Sequence, residues 1–160
     1  MSNLIHQIPP VYDSNSKVLI LGSFPSVKSR EQSFFYAHPQ NRFWRVVSAV
    51  YSVPTPVTVE EKRSFLLSFN IALWDVISSC TVVGSSDSSI KNVVVNDLSV
   101  ILNNSKIEHI FVNGKTAEKY YNKYLRPILL RDAECLPSTS AANAAWSIND
   151  LVDAWRVIKK

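Results

Sequence analysis

Four short stretches of this chain carry side chains suited to chemistry on a small planar ligand. The first follows the apolar run Val18-Leu19-Ile20-Leu21. It reads Gly22-Ser23-Phe24-Pro25-Ser26, then Phe34-Phe35-Tyr36, His38 and Asn41. The second is Asp75, which ends the apolar run Ile71-Ala72-Leu73-Trp74. The third is Asn113-Gly114-Lys115 and the fourth Pro137-Ser138-Thr139-Ser140. Aromatic faces stack on flat heterocycles, while side-chain amides and carboxylates read the hydrogen-bonding edge of such a ring. Other chemistries lack their residues. There is no GxxxxGK[ST] and no GxGxxG, and 3 glycines in 160 residues argue against a nucleotide cradle. No serine sits in a nucleophile elbow. Cys80 and Cys135 lie far apart without metal-ligand spacing, and two thiols cannot supply the four ligands of an iron–sulfur cluster.

The elements that must position these stretches follow from the hydrophobic pattern. An unbroken apolar run such as residues 18–21 reads as a strand buried on both faces. Strands are expected at residues 17–21, 71–74, 109–112 and 133–136. Helical spacing predicts helices over 41–51, 58–68, 95–103, 115–124 and 144–158, the second started by the cap Thr58-Val59-Glu60-Glu61. Residues 1–16 read as an irregular lead-in, and 78–89 as a serine-rich loop containing Gly84. Trp44, Trp146 and Trp155 sit among apolar neighbours and read as core, and Arg42 and Arg45 as a solvated helix face. Alternating strands and helices give an α/β domain spanning residues 1–160, with a mainly parallel four-stranded sheet and helices on both faces. Parallel strands point their carboxyl ends one way. The four polar stretches should therefore gather along one sheet edge, where α/β proteins hold ligands.

Composition narrows the setting. The chain is 46% hydrophobic and 19% charged, with a net charge of +4. That mild positive bias suits a polyanionic partner without identifying one. No apolar run is long enough to span a bilayer, and the first ten residues lack a signal-peptide pattern, so a cytoplasmic location without membrane contact is expected.

The segments GSFPS, YAHPQNRFW, NGKTA and LPSTSAANA occur in that order across nearly the whole chain. Together they resemble the uracil-DNA glycosylase superfamily, most closely its hypoxanthine-DNA (deoxyinosine) glycosylase branch. GSFPS followed by HPQNRFW is the specific part of the match. The resemblance implies a three-layer α/β/α fold and hydrolysis of an N-glycosidic bond in DNA, after the damaged nucleotide is swung out of the duplex. It implies no metal or organic cofactor, and a monomer acting on single- or double-stranded DNA that contains a deaminated base.

Carried over residue by residue, the resemblance makes Asn41 catalytic. Mismatch-specific uracil/thymine glycosylases place their catalytic Asn in the first loop, where this chain has Phe24. An amide is no base at neutral pH, so Asn41 would orient the attacking water and stabilise charge. Base binding falls to Ser23, Phe24, Tyr36, Asp75 and Asn113. A carboxylate only accepts hydrogen bonds, so Asp75 would take the N1–H of hypoxanthine, with backbone N–H groups near Ser23 or Phe24 facing O6. Ser26, Lys115, Ser138, Ser140, Ala142 and Asn143 would contact DNA, with Lys28 and Arg30 nearby. Relatives place a large wedge side chain where this chain has Ala142, with Asn143 next.

Plainer readings stand beside these. Asn41 precedes a helix and suits its N-cap, Tyr36 suits the core, His38 suits a turn before Pro39, and Asp75 suits a strand-end cap. Two other functions remain open: the same chemistry on uracil or thymine opposite guanine, and a non-catalytic nucleic-acid-binding module on the same fold.

Overall fold

The computed structural model describes residues 2–5, 8–82 and 90–159. In chain order come β1 (Ser2–Ile5), β2 (Val18–Gly22), α1 (Val27–Gln32), α2 (Phe43–Val50), α3 (Val59–Ser68) and β3 (Ile71–Asp75). β4 (Ile77–Val82), β5 (Lys91–Val95) and the short α4 (Ser99–Leu102) follow. Next are β6 (His109–Asn113), α5 (Lys115–Tyr120), a π-helical segment (Tyr121–Leu125), α6 (Arg126–Leu129) and β7 (Glu134–Leu136). α7 (Ile148–Trp155) runs into a 3₁₀ turn (Arg156–Lys159).

The expected parallel sheet is present, with strand order β3-β2-β6-β7. All five residues of β2 are buried, because side chains leave both of its faces into apolar layers. Ile20, Leu73 and Phe111 join Phe43, Val46 and Val47 of α2, Leu66 of α3 and Leu151 and Trp155 of α7 in one core. Leu19, Leu21, Ala72 and Val112 join Ile101 of α4, Ala117 of α5 and Tyr121 and Leu125 in the other. Each fully buried Leu, Ile, Val or Phe here contributes about 1.5–3 kcal/mol by leaving water. The strand ends stay in step: Gly22 pairs with Asp75, Leu21 with Val112 and Asn113 with Leu136. Asp75, Gly22, Asn113 and Leu136 therefore form a row across the sheet's carboxyl edge.

The capping box expected at α3 is complete. Thr58 Oγ1 accepts from Glu61 N–H at 3.0 Å, and Glu61 Oε1 accepts from Thr58 N–H at 2.9 Å.

Several expectations are corrected. Residues 2–5, read as lead-in, and 78–82, read as loop, belong to strands. With β5 they form a separate antiparallel sheet in the order β1-β4-β5. Ile77 and Cys80 anchor it to the second core, while its serines face partly outward, which is why composition alone read as loop. The remainder of the serine-rich loop, 83–89, lies outside the described residues. Val95 belongs to β5, so the following helix is much shorter than expected. α1 interrupts what read as one long loop, because Ser26 caps it by accepting from Ser29 N–H at 3.1 Å. α7 starts at Ile148 rather than near residue 144, where Ser147 and Asp150 build a second capping box. Trp146 precedes that helix and is exposed rather than core.

Candidate active site

The row of strand ends opens into a cavity of about 440 Å³. That is within the range of small-molecule pockets. Of the base-binding set, Ser23, Phe24, Tyr36, Asp75 and Asn113 all line it, as does Asn41. The convergence expected at the sheet edge is thus what the strands deliver.

Its floor lies over Gly22. A Cβ there would collide with Asp75 Oδ1 and sit 2.8 Å from the Tyr36 hydroxyl. Only glycine lets the carboxylate and the phenol approach the end of β2 together. Asp75 is 3% exposed. The aromatic run sorts itself by packing: Phe34 and Phe35 are buried, and Trp44 Nε1–H fixes the backbone by donating to the Phe35 carbonyl at 3.1 Å. Tyr36 adopts φ 52°, a left-handed conformation that costs a non-glycine residue energy. Its ring stacks on Phe43 at 4.1 Å. The Tyr36 hydroxyl is buried without a hydrogen-bond partner. Burial first, then the negative charge of Asp75, push its pKa above the ordinary tyrosine range, while the nearby Asn113 side chain acts the other way. Tyr36 is therefore a neutral phenol at any physiological pH.

The wall is a three-residue hydrogen-bond chain. Asn41 Oδ1 accepts from Phe43 N–H at 2.9 Å and from the Thr139 hydroxyl at 2.9 Å. Thr139 Oγ1 in turn accepts from Asn113 Nδ2 at 3.0 Å, and Thr139 N–H donates to Asn113 Oδ1 at 3.1 Å. The backbone donor at Phe43 fixes which end of the Asn41 amide is oxygen. The N-cap of α2 is Arg42 and carries no side-chain cap, so Asn41 is not the helix cap its plain reading made it; its contact to Phe43 N–H closes a two-residue turn just ahead of the helix. With both oxygen lone pairs engaged, the amide's free donor is Nδ2, which has no partner among the described residues. Asn41 N–H donates to the His38 carbonyl at 3.0 Å, and His38 Nδ1 accepts from Gln40 N–H at 3.1 Å. His38 thus shapes the turn that delivers Asn41.

The rim carries the residues assigned to DNA. Ser26, Arg30, Lys115, Ser138, Ser140 and Ala142 line the cavity. Lys115 and Ala142 are exposed. Arg30 lies over the Phe24 ring, 5.7 Å from its centre. Gly114, at φ 93°, lets the start of α5 approach Ser138, whose Cβ would stand 3.0 Å from an added methyl. Ser138 and Ser140 hydroxyls accept from Ser140 and Ala142 N–H, each at 3.2 Å, which folds the loop on itself. Asn143 does not line the cavity; its Nδ2 donates back to the Ser138 carbonyl at 3.0 Å. The Lys28 side chain lies outside the described residues.

Three residues that sequence reasoning passed over belong here. Thr139 is fully buried between the two asparagines; its position in a strand-end PSTS loop was the available signal. Asn96 is 7% exposed and donates to the Asp75 carbonyl at 2.8 Å, holding the chain where β3 passes into β4. Arg42, read as a solvated helix face, instead reaches the rim loop through its guanidinium.

The chain as a whole is similar to proteins of one family. The profile of the uracil DNA glycosylase superfamily matches residues 9–159. A hypoxanthine DNA glycosylase of Methanosarcina acetivorans is 36% identical over 146 residues, covering 88% of this chain and 89% of the relative. One from Methanosarcina barkeri is 32% identical over 140 residues, covering 84% and 85%. The solution NMR structure of a protein from Methanosarcina acetivorans, provisionally described as a uracil DNA glycosylase, superposes with a TM-score of 0.77. It is 32% identical and the match covers 96% of this chain and 97% of that one. The chain belongs to the uracil DNA glycosylase superfamily.

Proposed function

We propose that this protein is a DNA glycosylase that hydrolyses deoxyinosine, releasing hypoxanthine and leaving an abasic site. The observation that carries the reading is the composition of the cavity. One edge holds an acceptor-only carboxylate, Asp75, and the wall presents the unpartnered donor of Asn41. Both curated relatives named above are hypoxanthine DNA glycosylases.

In this reading the flipped purine lies on the floor over Gly22. Asp75 accepts its N1–H. Hypoxanthine has a donor at that position, and a carboxylate has nothing to offer an acceptor there. The C1′–N9 bond breaks with its electron pair leaving on the base, and the sugar becomes oxocarbenium-like. A water whose oxygen accepts from Asn41 Nδ2–H keeps a second lone pair for C1′. Bond formation makes that water acidic, and its proton is taken up as the base leaves as neutral hypoxanthine. Asn41 needs no basicity for this; it needs position. The contacts of Asn41 Oδ1 to Phe43 and Thr139 supply it. No lysine is invoked as a nucleophile, so the strand stays intact until alkali is added.

The alternative, uracil excision, is favoured by the description of the solved relative. Phe24 in the first loop speaks for the purine reading, since it offers an apolar face rather than an amide. Mass spectrometry of bases released from paired inosine and uracil duplexes separates the two. The proposal expects hypoxanthine as the main product; uracil alone would replace it with the alternative, and no base from either would favour a binding module.

A further inference from the structure

We propose that Arg42 is a positioning residue that moulds loop 138–146 into the surface engaging phosphates of the duplex. The inference rests on reading the cavity rim as the DNA face. Its own evidence is the hydrogen bonding of one guanidinium. Arg42 Nη2–H donates to the carbonyls of Ser140 and Asn143, each at 3.1 Å, and Nη1–H donates to the Trp146 carbonyl. The backbone adds a fourth tie, from Arg42 N–H to the Thr139 carbonyl at 3.0 Å. Arg42 Nε is buried without a partner. A side chain that serves three carbonyls of one loop while one of its own donors stays orphaned ties separate turns of that loop to a single anchor.

Peptide geometry then fixes the loop's outer face. In a trans peptide the C=O of one residue and the N–H of the next point in opposite directions. Carbonyls 140 and 143 turn in toward Arg42, so the N–H groups of Ala141 and Ala144 turn out. Neither has a partner among the described residues, and both alanines are exposed. The short side chains leave those donors open to a phosphate oxygen. Among the described residues no carboxylate neutralises Arg42, so its charge adds to the field beneath them. This gives the loop a grip that needs no large wedge at Ala142.

The test compares wild type with Arg42→Gln and Arg42→Lys. Anisotropy measures affinity for one labelled inosine oligonucleotide, single-stranded and duplex, and hydrogen exchange reads the loop peptides. Lysine keeps the charge but cannot bridge three carbonyls. Both variants are expected to weaken duplex binding about tenfold or more while single-strand affinity changes less than about threefold. Exchange should quicken in peptides covering 138–147 and nowhere else. Equal weakening on both substrates overturns the proposal, as does an unchanged loop, or a lysine variant that restores duplex binding. Should Arg42→Gln fail to fold, Arg42→Lys decides by the same criteria. Base release by the wild type is scored separately: an inactive wild type that shows these differences sinks the glycosylase reading and leaves this one standing.

Discussion

Thr139 shows how a site can depend on a residue that holds two others in place. Its hydroxyl links Asn41 to Asn113; Thr139 itself is fully buried and the two asparagines are half-buried. Thr139→Val keeps the shape and removes the link. It is expected to cost about 1 kcal/mol in urea unfolding, because two half-buried amides each lose one hydrogen-bond partner. Single-turnover excision should fall with it, since Asn41 is then free to swing. Tyr36 makes a second residue-scale prediction. Below about pH 10 the phenol is protonated folded or unfolded, so it adds no pH dependence. Above that the unfolded chain releases the proton while buried Tyr36 holds it, so stability falls as pH rises, by about 1.4 kcal/mol per unit per group. Burial raises Tyr51 and Tyr121 as well. Tyr36→Phe should therefore make the alkaline decline shallower by up to one proton without abolishing it, as read from urea melts across that range. An unchanged slope would mean the phenol is not held neutral.

The elements divide into those written in local pattern and those decided by packing. β2 and β3 of the central sheet were legible because both of their faces are buried and the pattern is unmixed. α3 was legible from its cap. Thr58→Ala should cost about 1 kcal/mol in thermal or urea unfolding, with excision unaltered, because α3 adds nothing to the cavity. β1, β4 and β5 were not legible. β4 carries serines and a threonine on a strand whose pairing with β5 shifts register, so neither alternation nor apolar continuity marks it. Helix ends were also misplaced. Ser147 and Asp150 hide a start behind an alanine run that itself favours helix, and Val95 is claimed by a strand. In the site, the residues that face the cavity could be named from type and position. Thr139, which also lines the cavity, and Arg42 went unnamed, because their roles are contacts across about a hundred residues of sequence.

At the scale of the whole molecule, function follows from strand order. Placing β2 next to both β3 and β6 brings Gly22 between Asp75 and Asn113 at the cavity. A net charge of +4 is modest for a nucleic-acid enzyme, so position matters more than total. Lys115 is exposed on the rim. Lys115→Ala is expected to weaken DNA binding alike for damaged and undamaged duplex, and to lower the salt slope of log affinity by about 1. A titration of affinity against salt checks this; loss confined to lesion DNA would mean Lys115 reads the base rather than the backbone.

The central claim is that the Asn41 amide acts on the reaction rather than on binding. Its most direct test is single-turnover excision of hypoxanthine by Asn41→Ala, set beside the variant's affinity for the same inosine duplex. The account predicts a rate lower by about 100- to 1000-fold with affinity nearly intact. A variant that binds the lesion and cuts it at the wild-type rate would contradict it.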